Sequence, residues 1–342
     1  MVMVSIIIPM YNVEKYIGRC IESVIKQNVE SVDVECIIVD DCSSDMSYEI
    51  ASHLIDNYEG NVQFLLMKNE TNCGVSVTRS KGILHSKGDF IVFLDSDDIL
   101  KPECISTLLN GHIAHPEADL IIGNVYENGR NQVQYNVESP VFIDNGTDAR
   151  RWMLKEKKCF SWNKLIRREL LISNQLLFTP NIIFEDILWT YQLYAKVSSI
   201  YILPDVTYVY EYNDNSISKS LQKADLLIKS FTTVSMEMLK DDYEEELFVQ
   251  QHMFILWALM NAVDIAGRTN ISRQSSELLS QAKNKLMLKS LGHFRFVLAF
   301  YFVIMYWPFY HITKLRIFRR YYLSISRVVE KIALLFNCLH FI

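Results

Sequence analysis

The stretch Phe90-Ile91-Val92-Phe93-Leu94-Asp95-Ser96-Asp97-Asp98 runs five apolar residues into three carboxylates within four positions. An uninterrupted apolar run of β-branched and aromatic type predicts a strand buried on both faces. The acids then arrive where that strand should end. In an open parallel sheet, the carboxyl ends of the strands are where ligands bind. Carboxylates crowded there repel one another unless a cation sits between them. Hard oxygen ligands suit Mg²⁺ or Mn²⁺, and Mg²⁺ is commonly held by one or two carboxylates together with substrate phosphates. An acidic turn is the alternative, since Asp and Ser favour turns.

Upstream of this stretch, apolar runs alternate with helical spacing. Val4 to Pro9, Val34 to Val39 and Val62 to Met67 read as strands; Glu14 to Gln27, Ser47 to Tyr58 and Val75 to Ser86 read as helices. Ser43-Ser44-Asp45 can cap the second helix. Alternation of this kind predicts an α/β layered sandwich around a mostly parallel sheet. Downstream, Pro102 to His115 reads as a helix and Leu120 to Val125 as a strand. A polar excursion follows from Tyr126 to Ser139, and Trp152 to Leu177 reads as interrupted helix. Ile187 to Lys196 reads as a helix, Ile200 to Leu203 and Thr207 to Tyr210 as two short strands, and everything after Leu221 as helical. The expected organisation is residues 1–125, 126–220 and a helical region, 221–342.

Half of the 342 residues are hydrophobic, so a large core is available. The formal charge of −6 conceals an asymmetry: residues 283–342 hold ten Lys or Arg against one acid, a net +9. An acidic body with a basic tail suggests that the tail meets an anionic surface, and nothing points to nucleic acid. The seven cysteines show no C-x-x-C pair and no His at zinc spacing, which fits a reducing compartment. The first dozen residues lack a basic region and a cleavage site, so no secretory signal is expected.

Acids recur at the ends of apolar runs: Asp40-Asp41, Asp95 and Asp97, Glu185-Asp186. A cation bridging some of them to a diphosphate, with another acting as a base, would make sense of the pattern. In order and spacing, Val4-Ser5-Ile6-Ile7-Ile8-Pro9-x-Tyr11-Asn12, Val39-Asp40-Asp41-Cys42-Ser43, Asn72-Cys73-Gly74-Val75-x-x-x-Arg79 and Asp95-Ser96-Asp97-Asp98 resemble the GT-A half of family 2 glycosyltransferases. The resemblance continues through Trp162-Asn163-Lys164-Leu165, Phe184-Glu185-Asp186 and Asn215-Ser216-Ile217-Ser218, covering roughly residues 3 to 220.

The resemblance implies a GT-A three-layer sandwich with a C-terminal helical extension. It also implies inverting transfer from a nucleotide-sugar with help from Mn²⁺ or Mg²⁺. By the matching positions, Asp41 binds the base, usually uracil, with Pro9 and Tyr11 beside it; Asp95 lies by the ribose, Asp97 binds the metal and Arg79 lies near the phosphates. Chemistry agrees for uracil: a carboxylate accepts its N3–H and an aromatic face stacks on its ring. Arg79 can equally be a solvated helix arginine, and Tyr11 a packing residue. Asp186 corresponds to the general base, with Glu185 supporting it or exchanging roles; both acids also suit the first turn of a helix. Trp162 and Lys164 are candidates to line an acceptor pocket, with packing as the alternative for Trp162. Two departures stand out. Glu211 occupies a place where the family often has Arg, and the Gln-x-x-Arg-Trp motif of processive synthases is absent, which predicts one sugar per encounter.

Phe296 to Tyr310 is fifteen uncharged residues broken by Pro308, short of the ~20 needed to span a bilayer. With Lys314, Arg316, Arg319 and Arg320 following, it suits a helix lying in an anionic interface, or an internal hairpin. The expected protein is therefore cytoplasmic and peripheral on the membrane, using a glycan or lipid-linked acceptor in surface polysaccharide synthesis. The rivals are a sugar nucleotidyltransferase and a catalytically silent scaffold that retains the nucleotide site.

Overall fold

The computed structural model describes residues 2–27, 32–130, 132–135, 137–211, 223–242 and 244–292. The expected amphipathic segment 296–320 and the 215–218 motif lie outside the described residues.

Two compact units divide the chain. The first comprises Met1–Met153, Lys158–Asn181 and Glu185–Asn213; the second holds Leu154–Lys157, Ile182–Phe184 and the chain from Asp214 onward.

In the first unit the continuous apolar runs become the centre of one sheet. β1 (Met3–Met10), β2 (Asp33–Asp40) and β4 (Phe90–Phe93) are buried almost throughout. β3 (Val62–Lys68) alternates buried and exposed positions, and it lies at the sheet edge. The strand order is β3-β2-β1-β4-β9-β6-β10-β5, where β5 is Ile99–Leu100, β6 Leu120–Glu127, β9 Lys164–Arg167 and β10 Ile200–Tyr210. Two short strands, β7 (Gln132–Val133) and β8 (Val141–Ile143), pair with β6 and β10.

The long ladders are parallel: β1 with β2 and β4, β2 with β3, and β6 with β10. The antiparallel pairings run for only two or three residue pairs each. The sheet is thus mixed beyond β4, with its parallel half as the sequence predicts. Helices α1 (Ile17–Ile25), α2 (Ser47–Asp56) and α3 (Val75–His85) make the crossovers, and α4 (Cys104–Ala114) follows β5. Parallel crossovers are right-handed, so reversing direction after β3 places α3 on the face opposite α1 and α2. At Gly82 the α3 backbone comes so close to β1 that any Cβ would collide with Ile7 Cγ2.

Two expectations change. Lys164–Arg167, read within an interrupted helix, is a strand in the sheet, pairing antiparallel with both β4 and β6. Four residues carry no decisive periodicity, and pairing with neighbours settles their state. The two strands expected between Ile200 and Tyr210 are one strand, with register shifts between Ile202, Val206 and Tyr208. Pro204 lies in the interrupted part, where a missing N–H costs no ladder bond. Around this region run α5 (Gly146–Glu156), α6 (Arg168–Ser173) and α7 (Glu185–Tyr194).

From Ala224 on, the described part of the second unit is mainly helical: α8 (Ala224–Met238), α9 (Phe248–Arg268) and α10 (Arg273–Gly292) pack on one another. Among the described residues, no helix is long and apolar enough to cross a membrane. The six described cysteines are free thiols.

Candidate active site

The order of strand addition reverses between the parallel strands β1 and β4, so their carboxyl ends form a topological switch point of the kind where α/β sheets bind ligands. The pairing of β1 with β4 stops at Ile7 and Phe93, closed by the Leu94 N–H donating to the Ile7 carbonyl at 3.0 Å. β1 stays paired with β2 as far as Met10 and Asp40. Beyond Leu94 the β1–β4 pairing ends, leaving the last residues of β1 and the turn 95–98 unpaired with each other. Pro9 sits past the end of the β4 ladder, so its missing N–H leaves no ladder bond unmade there.

One corner of the site is built by the exits of β1 and β2. The Asn12 N–H donates to Ser43 Oγ at 3.0 Å, and the Ser44 N–H to Asn12 Oδ1 at 2.8 Å. Asn12 and Cys42 take positive φ angles of 50° and 64°, a conformation that few non-glycine residues adopt. Tyr11 lies between these tied loops with 47% of its surface exposed, leaving its ring accessible. Asp41 is almost fully buried. Its carboxylate accepts from Asn69 Nδ2 at 2.8 Å and from the main-chain N–H groups of Cys73 (2.9 Å) and Gly74 (2.7 Å). Asp41 therefore pins the loop that leads into α3, where Gly74 at φ 86° makes a turn that suits glycine. A carboxylate has about four acceptor positions. Three are used by these donors.

Arg79, on α3, is buried at the centre of the site. Its Nη2 donates to Asp95 Oδ1 at 2.6 Å and its Nη1 donates to Glu185 Oε1. Burial works against its charge, but the two carboxylates outweigh that and hold the guanidinium firmly protonated. Its carbon centre lies 5.4 Å from the Phe178 ring. Phe178 stacks on Trp189 of α7 at 4.6 Å, and Phe93 of β4 meets both rings edge-on at 5.6 Å. This aromatic cluster fixes α7 against β4, which places Glu185 opposite Asp95 across one arginine.

Asp186 follows in the first turn of α7, half-buried, with Oδ1 accepting from the Ile187 N–H at 2.9 Å. Burial and then the Glu185 charge push its carboxyl up to about 8, against the opposing pull of Arg79. A carboxyl raised in this way is poised for proton transfer near neutral pH. Phe184, just before it, holds φ 65°, a strained value for a bulky residue.

Asp97 is half-buried at the lip, and its carbonyl accepts from Arg19 Nη2 at 3.1 Å. Asp98 is 1% exposed, and its two oxygens accept from the Tyr208 hydroxyl (2.6 Å) and the Glu211 N–H (2.8 Å). Burial, then the charges of Asp97 and Asp95, hold the Asp98 carboxyl well above the usual carboxylate range. Burial and the same acids raise the Tyr210 hydroxyl to about 12. This concentration of negative charge is what a divalent cation would relieve. Among the described residues, no three His, Cys, Asp or Glu side chains converge as a metal cage. The protein's share is then small, as for an ion that takes one or two carboxylates and completes its shell with phosphate oxygens. Asp97 and Asp95 are the acids of this turn that fit that share by place, at the half-buried lip; the two Asp98 oxygens serve Tyr208 and the Glu211 N–H.

Trp162 and Lys164 lie beneath the site and do not present a surface to an acceptor. Trp162 is 5% exposed, stacked between Phe160 at 4.1 Å and Tyr208 at 4.5 Å. Lys164 is fully buried, its Nζ donating to the carbonyls of Phe160 (2.8 Å) and Trp162 (3.2 Å) and to Asn163 Oδ1 (2.9 Å). Burial drives its ammonium down to about 7, against the raising effects of Cys159 and Asp186. Glu211 accepts from Asn128 Nδ2 and lies 3.9 Å from Arg19, so the cation in this corner comes from α1.

Sequence reading missed Asn69, Phe178 and Tyr208. Asn69 sits in the polar loop before Asn72-Cys73-Gly74, close enough to raise suspicion. Phe178 and Tyr208 carry no local signal, because what selects them is a partner about a hundred residues away.

The family described as Glycosyl transferase family 2 matches residues 5–173. Glycosyltransferase GlyG of Streptococcus pneumoniae is 28% identical over 231 residues, 64% of this chain and 73% of the relative. Poly(ribitol-phosphate) beta-N-acetylglucosaminyltransferase TarP of Staphylococcus aureus is 28% identical over 251 residues, 72% of this chain and 74% of the relative. The related TarS is 26% identical over 245 residues, 70% of this chain; the match spans only 41% of TarS. The crystal structure of S. aureus TarS 1-349 superposes with a TM-score of 0.66 at 22% identity, covering 84% of this chain and 81% of that one.

Proposed function

The chain belongs to glycosyltransferase family 2, and from that premise we propose that it is a metal-dependent, inverting, non-processive enzyme that moves one sugar from a UDP-sugar to an acceptor hydroxyl. The observation that carries the reading is the Asp95–Arg79–Glu185 bridge, which sets a half-buried, proton-accepting Asp186 beside the acidic strand end.

In this reading Tyr11 stacks on the base, and the remaining acceptor position of Asp41 takes a ring N–H. Pro9 and Asp95 bound the nucleoside, with Asp95 beside the ribose. Arg79 orients Asp95 and Glu185, and lies near the phosphates at the edge of the pair. Asp186 takes the proton of the acceptor hydroxyl as that oxygen attacks the anomeric carbon, while the nucleoside diphosphate departs on the opposite face. A divalent cation on Asp97, when bound, offsets the charge that develops on the leaving diphosphate. Trp162 and Lys164 support the floor of the site.

Two similarities favour this donor and cation. TarS has been crystallised with UDP-GlcNAc, and a mannosyltransferase from Pyrobaculum calidifontis, at TM-score 0.53 and 15% identity, with GDP-Man and Mn²⁺. TarS and TarP are named for poly(ribitol-phosphate), which favours a polymeric acceptor; in this reading it is a glycan or lipid-linked acceptor of surface polysaccharide synthesis. The basic, aromatic composition of residues 283–342 favours work at the cytoplasmic face of an anionic membrane.

Calorimetric titration of UDP, GDP and CMP with and without Mn²⁺ tests the donor class. The proposal expects UDP to bind tightest, with Mn²⁺ strengthening it at least tenfold. Tighter binding of GDP would move the donor class, and indifference to Mn²⁺ would remove the metal.

A further inference from the structure

We propose that Tyr208 is a positioning residue for the cation–diphosphate site, its buried hydroxyl holding the 95–98 turn in the shape that presents Asp97. The inference rests on the reading of Asp97 as the metal carboxylate and adds to it a residue from the far end of the sheet.

The turn is fastened from three sides. The Asp98 N–H closes it by donating to the Asp95 carbonyl at 3.0 Å. Arg19 Nη2 holds the Asp97 carbonyl from α1 at 3.1 Å. The third fastening comes from β10. The Tyr208 hydroxyl oxygen accepts from the Asp95 N–H at 3.2 Å, and its proton goes to Asp98 Oδ2 at 2.6 Å. A single hydroxyl thus binds both ends of a four-residue turn, with Asp97 between them. The other oxygen of Asp98 accepts from the Glu211 N–H at 2.8 Å, so the same carboxylate ties the turn to the end of β10.

The ring itself has little freedom. Tyr208 has no exposed surface, and its ring lies parallel to Trp162 at 4.5 Å, with Phe160 stacked on the other face of Trp162. Lys164 holds that aromatic loop from below through the Phe160 and Trp162 carbonyls. Packing alone calls for no hydroxyl here: phenylalanine would fill the stack without a polar atom to bury. A buried hydroxyl opposes folding unless it is hydrogen-bonded, and this one spends both bonds on the turn that carries Asp97. The Trp-Asn-Lys motif thereby acquires a role: it shapes the surface against which Tyr208 is pressed.

Tyr208→Phe removes the hydroxyl and keeps the stack. We expect the Mn²⁺-dependent gain in UDP affinity, read by titration calorimetry on the full chain, to fall at least tenfold. UDP affinity in EDTA should fall by a smaller factor than affinity with Mn²⁺, because Tyr11 and Asp41 are untouched and only the Asp95 N–H loses its acceptor. A hydroxyl that only stabilises the fold would lower the melting temperature on removal and leave the Mn²⁺ gain intact, whereas a role confined to packing would change neither. Asp98→Asn, which preserves shape but cannot accept at both atoms, should reproduce the loss and serves if Tyr208→Phe folds poorly. A Mn²⁺ gain equal to the parent's in the folded variant overturns the inference alone. A parent that binds UDP equally with and without Mn²⁺ overturns it together with the metal reading of Asp97.

Discussion

Replacing Asp186 by Asn separates proton transfer from binding with the least disturbance of shape. The side chain keeps its volume and an oxygen to accept from the Ile187 N–H. What it loses is the ability to take a proton. Loss of a general base costs about 10²–10⁴ in rate, or about 2.7–5.5 kcal/mol of barrier. Donor affinity should be nearly unchanged, since Asp41, Tyr11 and Asp97 remain. The pH dependence of the parent gives an independent check. Asp186 works only as a carboxylate, and its carboxyl is pushed up to about 8 by burial and by Glu185. The rate should therefore rise tenfold per pH unit up to that region and level off above it; a carboxyl with an ordinary value, near 4, would give a flat profile above about pH 5. Glu185→Gln removes one source of the upward push, so the rising limb of its residual activity should move to lower pH.

The same shift has a stability consequence with a definite sign. A carboxyl whose folded value lies above its unfolded value binds its proton more tightly in the folded state. Its ionisation therefore opposes folding as pH rises from about 4, and the penalty is complete above about 8. Asp186→Asn should melt at a higher temperature than the parent at pH 8 and at nearly the same temperature at pH 4. Initial rates across pH 5 to 9, donor titrations and thermal melts make up the assay. A collapse of donor binding with a high residual rate would refute the base assignment and transfer the role to Glu185.

Three further outcomes follow from the same site. Asp97→Ala should abolish transfer and weaken binding of the nucleoside diphosphate far more with Mn²⁺ present than without it, as read by calorimetry. Tyr11→Ala removes an exposed aromatic face and should weaken UDP in both conditions by a similar factor, corresponding to about 0.5–1.5 kcal/mol for a stacking pair. Removing residues 293–342, which follow α10 and carry a net charge of +6, should release the protein from anionic vesicles, whereas salt should only weaken binding of the full chain; co-sedimentation at two salt concentrations decides this.

The parallel half of the sheet was legible because its strands are buried on both faces and read as unbroken apolar runs. β1, β2, β4 and the helices between them fall within a few residues of their expected positions. The acids were legible as well, since carboxylates at the ends of apolar runs have no packing use. What each acid does was harder to read. Asp98 stands next to Asp97 in the acidic stretch with nothing in the sequence to set it apart, yet its oxygens belong to Tyr208 and Glu211. Lys164 and Trp162 look like surface groups awaiting a sugar, yet both are sealed beneath the site. In each case the deciding contact is tertiary: β9 slots between β4 and β6, carrying Trp162 and Lys164 inward with it. Arg79 needed the structure for the same reason, because its partner Glu185 lies 106 residues away. The continuity of β10 was hidden because Pro204 divides the apolar pattern while the sheet keeps both pieces in one strand.

The most direct test of the central claim is the configuration of the first sugar released. An α-linked UDP-sugar offered with water as the only acceptor, with Mn²⁺ present, should be hydrolysed slowly. Proton NMR in the first minutes, before mutarotation, reads the anomer. Attack from the face that Asp186 serves predicts the β-anomer first, with the signal lost on adding EDTA and in Asp186→Asn. An α-anomer as first product, or release that continues unchanged in EDTA, would contradict the account.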